Sequence, residues 1–121
     1  MHVYYIFRRE NRLQMTTFLQ DKQLTIALSG EIDHHGARSV LKMIADKIDQ
    51  YLPMVCVLDM KSVSFMDSSG IAIVIHTYRR MTERQGVLRL KQVPAQPRKV
   101  LEAAGMERLV TIEGRSPVYE I

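Results

Sequence analysis

Residues 54–58 read Met-Val-Cys-Val-Leu, an unbroken apolar run closed by Asp59, and a helical stripe lies on either side of it. So short a run reads as a strand buried on both faces, the position of a central strand in a mostly parallel sheet. Before it, Ala37, Val40, Leu41, Ile44 and Ile48 recur at helical spacing over 36–50. After it, Ile71, Val74, Ile75 and Tyr78 repeat at i, i+3, i+4, i+7, with Thr77, Arg79 and Arg80 off the stripe. Helix, buried strand, helix is a crossover pattern, and it restricts the chain to a layered α/β fold with an open sheet.

The remaining blocks extend that pattern. Residues 15–19 and 24–28 flank a polar turn at 20–23 and read as a hairpin, while 87–93 is a strand closed by Pro94. Gly86 is expected to cap the second helix, since it lacks a Cβ. Pro97 and Gly105 bracket a short helix carrying Val100, Leu101 and Ala104, and 109–112 forms a last strand. The order is β β α β α β α β, with right-handed crossovers. Residues 1–14 stand outside it as an N-terminal extension, with 3–7 either an extra strand or a flexible arm, and 15–121 form one domain.

Composition excludes several classes. Apolar residues at 46% and charged residues at 25% of 121 match a globular domain able to bury a core without disulfides or metal. Cys56 is alone and cannot form an internal bridge, and neither a signal peptide nor an 18-residue apolar run is present. A reduced, cytoplasmic setting is expected, with no membrane partner. Of the net charge of +4, Arg8, Arg9 and Arg12 against Glu10 supply +2. No aromatic residues interleave a basic stripe, so direct nucleic-acid binding is not expected.

In an open parallel sheet, function gathers beyond the carboxyl ends of the strands. Two loops leave such ends: 29–36, Ser-Gly-Glu-Ile-Asp-His-His-Gly, and 65–70, Phe-Met-Asp-Ser-Ser-Gly. Asp33 and Asp67 each precede a helix and are placed to accept from amides of its first turn. Ser68 and Ser69 then fall within the first turn of the second helix, near a positive dipole end and amides open to phosphate. A phosphoserine there adds about −1.5 to −2 charge. The fold would survive it, whereas a partner seated on the neutral surface would be rejected.

Catalysis by these residues has little support. The nucleophile-elbow pattern G-x-S-x-G and the phosphate loop GxxxxGK[ST] do not occur, and no histidine is placed as a base by motif. His34 and His35 are adjacent on a helix start, about 100° apart, without a spacing that completes a metal set. His76 falls inside the second helix as a packing or surface residue. No cofactor or metal is implied.

The segments 28–35, followed by Ala37, and 65–71 resemble the STAS domain family, most closely its sporulation anti-sigma factor antagonists. Both motifs, their separation and the order of elements carry the resemblance, from residue 15 to the last helix. It implies a mixed, mostly parallel sheet covered by helices, and a transcription regulator that works by partner switching. The unphosphorylated antagonist would bind an anti-sigma factor that is also a serine kinase, releasing the sigma factor. The kinase would use ATP to phosphorylate Ser69, and a serine phosphatase would remove the phosphate. The partner-binding surface implied is Asp33, Asp67, Ser68, Ser69 and Gly70. The extension at 1–14 and the basic balance depart from the family pattern, and the last family helix is expected to be short or missing. A STAS-type ligand or nucleotide sensor is the alternative, with an esterase using Ser68 or Ser69 third.

Overall fold

The computed structural model describes residues 2–5 and 13–114. Its strands are β1 (His2–Tyr5), β2 (Leu13–Gln20), β3 (Gln23–Ile32), β4 (Val55–Met66), β5 (Val87–Val93) and β6 (Thr111–Gly114). Its helices are α1 (His34–Tyr51), α2 (Ser69–Glu83) and α3 (Ala95–Ala103), followed by a 3-10 turn at Met106–Arg108. The strands lie in chain order in one sheet; β1, β2 and β3 run antiparallel, and β3 to β6 run parallel. This is the expected α/β architecture. Within 3–7, residues up to Tyr5 belong to β1, whereas Phe7, the arginines at 8, 9 and 12, and the C-terminal 115–121 lie outside the described residues.

The hairpin is tighter than its sequence suggests. Asp21 and Lys22 alone form the turn, both with positive φ (49° and 65°), the conformation of a type I′ connection between twisted strands.

Burial alternates along β2 and β5: Leu13, Met15 and Thr17 are buried with Leu88 and Leu90, while Val87 and Arg89 face out. The crossovers step one way across the sheet, β3 to β4 to β5 to β6, so right-handed connections set all three helices on one face. That single face holds the core, which corrects the reading of 54–58 as buried on both sides. Within 54–58, Val57 alone is buried on the open face, where Thr25 and Arg89 flank it in register.

Strand β4 is also longer than the apolar run. Its inward row is Cys56, Leu58, Met60, Val63 and Met66, and the spacing changes from two to three where the pairing with β3 slips. Between Ala27/Asp59 and Ser29/Ser62, and again between Gly30/Val63 and Glu31/Phe65, β4 carries one extra residue. Each bulge restores the side chains to the core face and bends the strand.

The stripe of α1 is as expected, whereas that of α2 is rotated. α1 buries Ala37, Val40, Ile44 and Ile48, with Leu41 at its margin; α2 buries Gly70, Ile73, Val74, Thr77 and Met81, with Ile71, Ile75 and Tyr78 half-buried. Thr77, expected off the stripe, enters the core because its hydroxyl donates to the Ile73 carbonyl at 2.7 Å and leaves the methyl to pack. The end of α2 differs as well. Gln85, not Gly86, takes the left-handed conformation (φ 64°) of a Schellman motif: Gly86 N–H donates to Met81 O at 2.8 Å and Gln85 N–H to Thr82 O at 2.9 Å. Gly86 is needed for room, since a Cβ would stand 2.6 Å from Met81 Cε and 2.9 Å from the Met54 carbonyl. Gly105 (φ 73°) does cap α3, Ala104 is exposed, and the last strand starts at Thr111 rather than 109.

Candidate functional site

Strands β3 and β4 are parallel neighbours that end level with each other, Ile32 opposite Met66. The 29–36 and 65–70 segments therefore meet at one edge, as expected, although 29–32 and 65–66 prove to be strand rather than loop. The Asp67 N–H donates to the Ile32 carbonyl at 3.1 Å, fastening one helix start to the strand that precedes the other.

Both aspartates cap. Asp33 Oδ1 accepts from Gly36 N–H at 3.0 Å and its carbonyl accepts from Ala37 N–H at 2.9 Å. Asp67 Oδ1 accepts from Ser69 N–H at 2.7 Å, while Ser68 already has helical dihedrals (φ −64°, ψ −13°), so Asp67 performs the capping one residue ahead of the helix boundary. Gly70 N–H bonds the Asp67 carbonyl at 3.0 Å and Ile71 N–H the Ser68 carbonyl at 3.0 Å, winding the first turn tightly.

These bonds revise one expectation. The amides of Asp67, Ser69, Gly70 and Ile71 are all engaged within the protein, so the start of α2 is not the rosette of open N–H groups that phosphate was expected to meet. Its dipole remains. Ser68 is exposed and Ser69 half-buried, so the two hydroxyl-bearing residues differ in access.

Gly70 is buried, and a Cβ there would collide with the sulfur and Cγ of Met66, whose side chain is fully buried beneath it. No other residue type allows α2 to sit this close to the end of β4. Gly36 has the same place at α1, where a Cβ would come 2.7 Å from Leu13 Cδ2.

Two contributors escaped the sequence reading. Gln96, in the first turn of α3, accepts from Met66 N–H through Oε1 at 2.8 Å and donates through Nε2 to the Met66 carbonyl at 2.8 Å. Strand β5 pairs with β4 only as far as Asp59, so this side chain supplies what a neighbouring strand would at Met66. Only the topology joins residues 30 positions apart. Phe65, 45% exposed, is an aromatic surface beside the serines; its place immediately before the Met-Asp-Ser-Ser segment was the available signal.

The other candidates lie apart from this edge or face solvent. His34 and His35 are exposed, with rings edge to face at 5.5 Å, and no group of three potential metal ligands occurs among the described residues. Cys56 is buried, and loss of solvation pushes its thiol up to about 12, which favours the protonated form. His76 is exposed on α2. No described helix is long and apolar enough to cross a membrane.

One edge of the mixed sheet thus carries two capped helix starts, with Ser68 and Ser69 in the first turn of the second. The model of the STAS domain matches residues 14–119, and the chain belongs to that family. An anti-sigma F factor antagonist of Paenibacillus polymyxa is 28% identical over 89 residues, 74% of this chain and 76% of the relative. One from Lysinibacillus sphaericus is 30% identical over 95 residues, 78% of this chain and 79% of the relative. Among solved structures, the anti-sigma factor antagonist SpoIIAA in its unphosphorylated form superposes with a TM-score of 0.73 at 23% identity, covering 88% of this chain and 92% of its own. The phosphorylated Bacillus SpoIIAA gives 0.66 at 23%, covering 88% and 96%. These superpositions establish the fold.

Proposed function

We propose that this chain is an anti-sigma factor antagonist. Its unmodified edge, formed by Asp33, Asp67, Ser68, Ser69 and Gly70, binds an anti-sigma factor that is also a serine kinase, and the sigma factor is thereby released. The observation that carries the reading is the fastening of the two helix starts, Asp67 N–H to the Ile32 carbonyl, which makes their residues one preformed surface. Two relatives that bear the antagonist name, and a solved relative described in both phosphorylated and unphosphorylated forms, support it.

Ser69 is the acceptor. Its Oγ attacks the γ-phosphorus of ATP, the bond to the β,γ-bridging oxygen breaks, ADP leaves, and the hydroxyl proton passes to a base on the kinase. The chain is the substrate and contributes no catalytic group. The dianion then faces a docked partner without a counter-charge, and the complex dissociates. A serine phosphatase restores the neutral surface. The engaged amides at the start of α2 weigh against a sensor that holds nucleotide there unaided.

Incubation with the cognate anti-sigma kinase and ATP, followed by intact-mass spectrometry, tests this. One added phosphate is expected on the wild type and none on Ser69→Ala; equal labelling of both would remove Ser69 from the proposal.

A further inference from the structure

Away from the serines, α1 and α2 leave a half-open groove of about 320 Å³ between them. Its floor is apolar: Leu41, Ile44 and Ala45 from α1, and Thr77 from α2, whose hydroxyl is already bonded to the helix backbone. Its rim is cationic on the α1 side, where Arg38 and Lys42 stand opposite His76 and Arg80 of α2. Arg80 is fixed across the far end by Asp49, through contacts of 3.3 Å and 3.0 Å. Arg38 and Lys42 are exposed and pair with no carboxylate among the described residues.

We infer that this groove is a docking site for an acidic amphipathic helix of a protein partner. An apolar floor beside a cationic α1 wall is complementary to a helix that presents Leu-type side chains on one stripe and Glu or Asp along the edge that meets Arg38 and Lys42. The volume sits at the small end of ligand sites, enough for side chains offered by a helix and too shallow to enclose a cofactor. A nucleic acid fits less well: the basic groups surround an apolar strip without a Phe, Tyr or Trp to stack a base. The inference is independent of the Ser69 reading, since no kinase or phosphate enters it.

The test uses the whole protein and a synthetic 14-residue helical peptide with Leu at i, i+3, i+4 and i+7 and Glu at flanking positions. Amide shifts in a nitrogen-15 NMR titration are expected to saturate at Leu41, Lys42, Ala45, His76 and Thr77. Raising salt from about 50 to about 500 mM should weaken binding roughly 5-fold through screening. Arg38→Glu combined with Lys42→Glu, both on an exposed surface, should weaken it at least about 10-fold with the melting temperature retained. Each of four outcomes would overturn the assignment. These are no saturable shifts in the groove, equal binding by the Lys-substituted peptide, equal binding by polyglutamate that lacks the Leu stripe, or tighter binding by an oligothymidylate.

Discussion

Helices α1 and α2 begin on the same plan, Asp33-His34-His35-Gly36 and Asp67-Ser68-Ser69-Gly70, side by side on one edge. In each the aspartate caps, and the glycine three positions on lies where a Cβ would meet a core side chain. The differences are instructive. Asp33 reaches the amide of the glycine, whereas Asp67 reaches the amide of Ser69, one residue earlier, and its turn is wound more tightly. The second start is also held from outside, by Ile32 on one side and Gln96 on the other. The plan supplies position; the two residues inside it supply chemistry, imidazoles in one case and hydroxyls in the other.

Exchanging charge between the starts gives the largest contrast. Ser69→Asp should weaken the anti-sigma factor complex by about 100-fold or more, as an unpaired charge enters a docked surface, while His35→Asp should change it less than about 3-fold. Calorimetry of both would break the comparison if the two losses were equal. Next come the glycines. Gly70→Ala should cost about 2–3 kcal/mol and Gly36→Ala about 1–2, because buried Met66 must move bodily in one case and only the end of Leu13 in the other. Chemical denaturation measures both, and the reverse ranking would show that α1 is the less forgiving start.

Gln96→Ala should cost about 1–2 kcal/mol by leaving both backbone groups of Met66 without this partner. Hydrogen exchange should quicken around Met66 and Asp67 but not around Asp33; uniform quickening would mean that Gln96 supports the whole fold instead of one start. The smallest effects belong to the caps. Asp33→Ala and Asp67→Ala should each cost about 1 kcal/mol, detectable as similar shifts of the denaturation midpoint.

Much of this was legible because it is local. Aspartate caps, the hairpin, the stripe of α1 and the two strand-end motifs are each set within a few residues, and even the pairing of the motifs follows from the parallel crossover rule. The C-terminal half of β4 was not legible. Its bulges interrupt the alternation that marks a strand, and Lys61, Ser62 and Ser64 look like loop because they are exposed beyond the end of the β5 pairing. Thr77 misled because a hydroxyl that bonds its own helix behaves as an apolar group. Gln85 took the left-handed position that glycine advertises, and the adjacent Gly86 answers to the room around Met81 and Met54 instead. The Gln96 clasp depends on tertiary structure, and nothing within its own neighbourhood announces it.

The tight first turn of α2 has a consequence for recognition by a modifying enzyme. With the Ser69 amide held by Asp67 and the glycine next to it pressed on Met66, this segment cannot be drawn out as an extended strand without dismantling the helix start. A kinase that acts here has to read the folded contour, so the letters Met-Asp-Ser-Ser-Gly in a free peptide are not its consensus. On the proposed reading, such an enzyme would recognise shape, and a search for its substrates by linear motif alone would return many chains that carry the letters without the surface.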